Sequence, residues 1–167
     1  MKELYILRHA IAVERGTPDR KMDRDRLLTT EGRKKLRGIA RALREMDPSL
    51  DLILSSPYVR ARQTAELVAK VLHDELRLKF SEHLAPDGDT EHLVEQLGSL
   101  HDRPARILLV GHEPYLGRLI STLLTGGPDL ALTLKKGGLC KLTVSRLRYG
   151  RCATLEWLLT PRILTGK

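Results

Sequence analysis

Apolar and polar positions alternate along this chain with two different periods. Short, largely apolar runs predict buried strands at residues 2–7, 50–54, 76–80 and 106–110. Between them, apolar residues recur at helical spacing and predict helices over residues 30–47, 57–72, 91–100 and 114–125. Partial alternation predicts a closing hairpin from residues 139–147 and 153–159, around Tyr149-Gly150. Polar stretches that contain glycine and proline, which interrupt helices and strands, predict loops at residues 10–28 and 84–89.

This order of elements indicates an α/β fold. Strands that alternate with helices form a mostly parallel central sheet with helices on both faces, which is a three-layer αβα sandwich. Neither an internal repeat nor a Gly/Ser/Pro-rich linker divides the sequence. Residues 1–167 are therefore predicted to form a single domain, and that length is sufficient to bury a core.

Composition and charge narrow the functional classes. The chain is 41% hydrophobic and 30% charged, and it contains no apolar run long enough for a membrane span. Its net charge of +8 fits nucleic acid, an anionic membrane surface or a phosphorylated substrate. The basic residues are scattered and few aromatics lie among them, so a nucleic-acid surface is disfavoured. No nucleic-acid or membrane partner is predicted.

The number and spacing of the cysteines help to predict the cellular compartment of the protein. Cys140 and Cys152 show no metal-ligand spacing, and two cysteines do not make a disulfide framework. The apolar stretch at the N-terminus is short and soon interrupted by Arg8, unlike a secretory signal. Together these features predict reduced thiols in a cytoplasmic protein.

Polar residues suited to a phosphate follow three of the predicted strands. Arg8 and His9 end the first strand, a serine pair follows the second and leads to Arg60, and His112 follows the strand at residues 106–110. In parallel sheets, ligands bind beyond the carboxyl ends of the strands. We therefore expect the two histidines and the arginines to converge on one pocket.

These residue types suit phosphoryl chemistry. Planar guanidinium groups match phosphate oxygens in a bidentate manner, and neutral imidazole is a competent nucleophile. The helices predicted after Pro57 and Pro114 would direct their N-termini, with positive partial charge, at the same place. Taken singly, each histidine or arginine is more often a structural or surface residue. Their shared placement at strand ends is what predicts a site.

Other polar residues have simpler interpretations. Lys135 and Lys136 precede Gly137-Gly138, where a solvated turn is favoured over a place in the pocket. Arg15, Arg20 and Lys21 lie in the loop after His9; a solvated loop is the default and closure over a substrate the alternative. The remaining histidines show no metal spacing and are predicted to lie on the surface: His73, His83, His92 and His101.

Four motifs resemble the histidine phosphatase superfamily, which includes the cofactor-dependent phosphoglycerate mutases. Arg8-His9-Ala10 resembles its Arg-His-Gly signature, with alanine in place of the usual glycine. Residues 55–65 are similar to its second motif and residues 110–114 to its third. Residues 27–32 are similar to the Leu-Thr-x-x-Gly segment that opens the first helix. The order of strands and helices agrees across nearly the whole chain.

The resemblance implies a phosphoglycerate mutase-like fold and a set of roles. His9 would be phosphorylated, Arg8 and Arg60 would hold the phosphate, and His112 would support the transferring group. A neutral His9 that attacks beside a protonated His112 that stabilises the transferring group predicts a bell-shaped pH profile. Arg62 lies outside this shared core and is interpreted as structural. No metal or organic cofactor is implied.

The substrate expected from the resemblance is a histidine-phosphorylated protein, for example a signalling phosphotransfer domain. The chain is short for the superfamily, and in this it resembles the bacterial phosphohistidine phosphatases. Two other functions are alternatives: a small-molecule phosphatase or mutase, and a non-catalytic basic binding module. Shortness argues against the former, because little chain is available to enclose a small substrate. Retention of both histidines and both arginines argues against the latter.

One position departs from the family pattern. The superfamily's usual proton donor is a glutamate, and the corresponding position here is Pro86. Asp87, Asp89 and Glu113 are possible substitutes, and the sequence does not rank them. A phosphohistidine substrate would lessen the need for any acid, because its imidazole leaving group can be protonated near neutral pH.

Overall fold

The computed structural model describes residues 1–16, 18, 22–73 and 75–166. Arg20 and Lys21, two of the three loop residues considered for closure over a substrate, lie outside the described residues. The described strands are β1 (Lys2–Arg8), β2 (Leu52–Ser55), β3 (Leu78–Phe80), β4 (Arg106–Gly111), β5 (Leu139–Val144) and β6 (Ala153–Leu159). The described α-helices are α1 (Thr30–Glu45), α2 (Val59–Leu72), α3 (Thr90–Ser99), α4 (Tyr115–Thr125) and α5 (Pro161–Thr165).

All of these strands join one sheet in the order β3-β2-β4-β1-β5-β6. Strands β1 to β4 are parallel to their neighbours within that group. The hairpin of β5 and β6 adds two antiparallel strands beside β1. The prediction of an α/β fold with a mostly parallel sheet is confirmed, and the mixed character comes from the closing hairpin.

Two hydrophobic clusters on opposite faces of the sheet produce the three layers. In β1, Leu4 and Ile6 belong to the cluster that contains residues of α3 and α4. The alternate residues Tyr5 and Leu7 belong to the cluster that contains residues of α1, α2 and α5. Strands covered on both faces are apolar throughout, which explains the continuous apolar runs in the sequence.

Helix α1 starts at the cap that the sequence places there. Thr29 Oγ1 accepts a hydrogen bond from the Gly32 amide at 2.9 Å. A side chain at Gly32 would overlap the carbonyl oxygen of Ile11, so this position requires glycine. The close approach holds the loop that follows β1 against the start of α1. That loop leads directly from the predicted nucleophile.

Several predicted boundaries shift by a few residues. Helix α2 begins at Val59 rather than Pro57, because Tyr58 has an extended backbone and precedes the first helical residue. Strand β5 ends at Val144, so residues 145–147 lie outside it. Helix α5 and the 3-10 helix Asp23–Asp25 were not predicted. Each has five residues or fewer, which is too short for a periodic apolar pattern.

Candidate active site

The sheet brings three strand ends to one edge. Arg8, the last residue of β1, lies opposite Gly111 of β4, and Ser55 of β2 lies opposite Val110. Just beyond these pairs, the His9 amide donates to the Gly111 carbonyl at 3.0 Å. This register places His9 and His112 next to each other, with ring centroids 5.1 Å apart. The predicted convergence of the two histidines is therefore observed.

One ring nitrogen of His9 carries its lone pair towards Arg60. Its Nδ1 lies 2.7 Å from the carbonyl oxygen of Ala10; a carbonyl can only accept, so Nδ1 carries the proton. The lone pair is then on Nε2, which accepts a hydrogen bond from Arg60 Nε at 3.3 Å. The pKa of His9 is lowered to about 3, chiefly by burial and further by Arg60, Arg8 and Lys136. His9 is therefore neutral at physiological pH, as a nucleophile requires.

A serine that follows β2 contacts the ring of His112. Its Nε2 lies 2.8 Å from Ser56 Oγ, while its Nδ1 is buried and has no hydrogen-bond partner among the described residues. The pKa of His112 is lowered to about 2, first by burial and then by His9, Arg60, Arg26 and Arg8. In the free protein, a buried imidazole beside several cations stays neutral, which disfavours the protonated His112 expected from the sequence.

Arg60 is the most deeply placed cation of the cluster. It is 2% exposed at the first turn of α2, and its guanidinium reaches both His9 and the loop after β1. Nη1 donates to the Asp23 carbonyl oxygen at 2.7 Å and Nη2 to Asp23 Oδ2 at 2.9 Å. The sequence analysis did not identify Asp23 as part of the site.

Arg8 approaches from the end of β1. Its Nη1 donates to the Leu134 carbonyl at 3.0 Å, while its Nε is buried without a hydrogen-bond partner among the described residues. The charge of Arg8 lowers the pKa of both His9 and His112, so it acts on both rings. Arg8 Nε is therefore a buried donor without a partner among the described residues, and His112 Nδ1 is a second one when the ring carries its proton there. Oxygens of a phosphoryl group would satisfy such donors.

The glycine turn after Lys135 and Lys136 supports the backbone of the site. The Gly137 amide donates to the Arg8 and His9 carbonyls at 3.1 and 3.2 Å. Gly137 has a φ of +76°, in the region that favours glycine. Both lysines are exposed, as expected of a solvated turn. Lys136 nevertheless contributes positive charge, since it lowers the pKa of His9.

Comparison with known proteins identifies the family. The family model of the histidine phosphatase superfamily (branch 1) matches residues 4–85. A protein of Picosynechococcus sp. is 37% identical over 141 residues, which is 84% of each chain. The chain belongs to the histidine phosphatase superfamily. The resemblance inferred from the motifs is thus confirmed.

Within this superfamily, the chain is similar to short bacterial members along its whole length. Phosphohistidine phosphatase SixA of Escherichia coli is 28% identical over 160 residues, covering 95% of this chain and 94% of SixA. The solved structure of the protein histidine phosphatase SixA complexed with tungstate aligns with a TM-score of 0.78 at 27% identity. That alignment covers 95% of this chain and 97% of the other.

The three carboxylates considered as the superfamily's proton donor differ in their surroundings. Asp87 is exposed. Asp89 caps α3 by accepting a hydrogen bond from the His92 amide at 2.9 Å. That hydrogen bond is the main reason why the pKa of Asp89 is lowered. Glu113 is half-buried, and desolvation raises its pKa against the opposing charge of Arg8. Glu113 is therefore the one of the three best suited to carry a proton.

Tyr58 forms an aromatic wall that sequence reasoning also missed. Its ring lies 5.3 Å from the His112 ring in an edge-on arrangement. The guanidinium carbons of Arg60 and Arg24 each lie 5.4 Å from the centroid of the Tyr58 ring. No sequence signal distinguishes this tyrosine from an ordinary residue before a helix.

The described residues contain no group of three or more His, Cys, Asp or Glu placed to hold a metal ion.

Arg62, interpreted from the sequence as structural, pairs with Glu66 at 3.5 Å on an exposed part of α2. None of the described helices combines the length and the apolar character that a bilayer span requires.

The lowered pKa values of His9 and His112 predict a broad pH profile. Both rings stay neutral well below pH 6, so their protonation should reduce kcat/KM only as the pH falls towards about 3. This replaces the bell-shaped profile expected from a protonated His112. We expect kcat/KM for an aryl phosphate to be flat between pH 5 and 8 once the second ionisation of the substrate, near about 6, is taken into account.

Unfolding has to be separated from catalysis in that experiment. The unfolded chain takes up protons on both imidazoles near about pH 6.5, whereas the folded chain does not, so stability falls as the pH drops below that value. Circular dichroism at each pH therefore defines the range in which the protein is folded. A change in kcat/KM near pH 6.5 that occurs in fully folded protein, and that does not follow the ionisation of the substrate, would show that His9 or His112 titrates there.

Proposed function

We propose that this protein is a phosphohistidine phosphatase in which His9 becomes transiently phosphorylated. The observation that carries the proposal is the state of His9: a buried, neutral imidazole with its Nε2 lone pair directed at Arg60. The buried Arg8 Nε, a donor without a partner among the described residues, favours a ligand rich in acceptor oxygens, and His112 Nδ1 is a second such donor when it carries the ring proton. Residues 1–167 are proposed to act as one catalytic domain.

The proposed reaction has two displacements at phosphorus. His9 Nε2 attacks with its lone pair, and the bond from phosphorus to the substrate nitrogen breaks, leaving that electron pair on the departing imidazole. Water then attacks the phosphorus, the electron pair of the broken bond returns to His9 Nε2, and inorganic phosphate leaves with the protons of the water. Arg8, Arg60 and His112 are proposed to bind the phosphoryl oxygens throughout, because transfer through a loose transition state needs mainly positioning and electrostatic support.

The substrate class is proposed on two grounds. SixA, named a phosphohistidine phosphatase, is similar to this chain over nearly the full length of both. In addition, Pro86 stands where the superfamily usually has its acid, and an imidazole leaves without strong assistance, unlike an alkoxide. A histidine-phosphorylated protein such as a signalling phosphotransfer domain is the proposed partner. The cytoplasmic location inferred from the two thiols stays a prediction.

The proposal is tested by comparing a phosphorylated protein with phosphate esters. The purified protein is incubated with a phosphotransfer domain phosphorylated on histidine and, in parallel, with 3-phosphoglycerate and glycerol phosphate. General acid assistance contributes about 10²- to 10⁴-fold in enzymes, so we expect kcat/KM for the phosphohistidine to exceed that for the esters by at least about 10²-fold. Equal rates would instead favour a small-molecule phosphatase. Release of phosphate from neither substrate would indicate a binding module.

A further inference from the structure

Asp23 is a carboxylate shared by three arginines at the edge of the site. Its Oδ2 pairs with Arg60 Nη2 at 2.9 Å, and its Oδ1 lies 3.0 Å from Arg26 Nε and 3.2 Å from Arg15 Nε. Its backbone carbonyl also accepts from Arg60 Nη1. One residue of the loop after β1 thus contacts both Nη groups of the guanidinium that touches His9.

These contacts differ from an ordinary surface ion pair because two of the arginines are buried. The side chains of Arg60 and Arg26 are 3% and 14% exposed, whereas Arg15 is 78% exposed. Buried like charges repel strongly unless a counter-charge is present. Without Asp23, the guanidinium groups of Arg60 and Arg26 would have no carboxylate between them. The orientation of Arg60 would then rest on its contact with His9 and on the loop carbonyl.

We propose that Asp23 is a positioning residue for the phosphate-binding arginine, fixing the guanidinium of Arg60 in the plane that meets both His9 and the transferring phosphoryl group. The inference rests on the proposed function, since it assigns Asp23 to the same site. Arg60 has five N–H donors, of which three contact His9 or Asp23, so two can bind phosphoryl oxygens.

A competing role makes the opposite prediction for anion binding. A carboxylate that merely occupied the phosphate position would repel an oxyanion, and its neutralisation would tighten anion binding. A carboxylate that orients Arg60 has the reverse effect, because a misaligned guanidinium loses its bidentate geometry. The sign of the change in oxyanion affinity therefore separates the two roles.

The test uses Asp23→Asn with Asp25→Asn as the matched control. Asp25 lies in the same 3-10 helix, and none of the described residues forms an ion pair with its side chain, so both variants change the net charge equally. We expect Asp23→Asn to lower kcat/KM for an aryl phosphate by about 10- to 100-fold and to weaken tungstate binding in calorimetric titration about tenfold. Asp25→Asn should stay within about threefold of the unsubstituted protein in both measurements.

The pathway through Arg60 is tested by a double-variant cycle. If Asp23 acts through Arg60, adding Asp23→Asn to Arg60→Ala should lower kcat/KM by less than about threefold further. A full second loss, unchanged kcat/KM in Asp23→Asn, or tighter tungstate binding would each overturn the inference. Thermal melts of all variants confirm folding, and tungstate titration needs no turnover. If the unsubstituted protein hydrolysed neither the phosphohistidine protein nor the aryl phosphate, the result would count against the proposed function. If Asp23→Asn and Asp25→Asn behaved alike, the result would count against the role of Asp23 alone.

Discussion

Replacing His9 with alanine is expected to lower turnover of phosphohistidine and aryl phosphates by at least about 10⁴-fold, as loss of a nucleophile does in other enzymes. The alanine removes the Nε2 lone pair, and no other described side chain presents a neutral nucleophilic nitrogen beside Arg60 except His112, whose Nε2 is bonded to Ser56. Initial rates of phosphate release under saturating substrate measure this effect.

A second histidine variant provides the control for that loss. His101 is exposed and lies outside the site, so His101→Ala should retain near-normal turnover. Both variants should show the circular dichroism spectrum of the folded protein. Wild-type-like turnover by a folded His9→Ala protein would remove His9 from the mechanism.

The dependence on leaving group is the second large effect we expect. Without a positioned acid, the rate should fall steeply as the leaving group becomes more basic, by about 10² or more between an aryl phosphate with a strongly acidic phenol and phenyl phosphate, whose phenol has a pKa near 10. Phosphohistidine lies outside this trend because its imidazole is protonated near neutral pH. The measurement is a series of aryl phosphates of graded leaving-group pKa, assayed at one pH.

Glu113 is the residue that could change this outcome. Its raised pKa favours a protonated carboxyl, and its Oε1 is buried without a partner among the described residues. Its position beside Gly117 of α4, however, directs the carboxylate back towards that helix. We therefore expect Glu113→Gln to leave the slope of the series unchanged. A shallow slope that steepens in Glu113→Gln would identify Glu113 as the proton donor.

The sequence predicts well which residues stand at the strand ends that form the site, because local patterns place them there. Arg8 and His9 follow a short apolar strand, His112 follows another, and parallel pairing brings strand ends together whatever the remaining side chains are. The cap at Thr29 and the apolar stripe of α1 are equally local, and both are observed. Features of this kind can be predicted from the period of the apolar positions and from the residue types that follow each strand.

The contacts that tune the site were not predictable in the same way. Asp23 and Arg60 are 37 positions apart, and the loop that carries Asp23 has no periodic pattern to place it. The neutral state of His112 depends on burial and on four neighbouring side chains that only the folded chain assembles. The charge of Lys136 at His9 likewise depends on how the glycine turn packs under β1.

A rapid quench of a single turnover tests most directly whether His9 becomes phosphorylated. Excess protein is mixed with a phosphotransfer domain labelled with ³²P on histidine, quenched at short times in both acid and base, and digested for peptide mapping. The account predicts a transient phosphate on the peptide that contains His9, labile in acid and stable in base, which appears before inorganic phosphate and then decays. Label passing to inorganic phosphate with none on His9 at any time, or label on another residue, would contradict it.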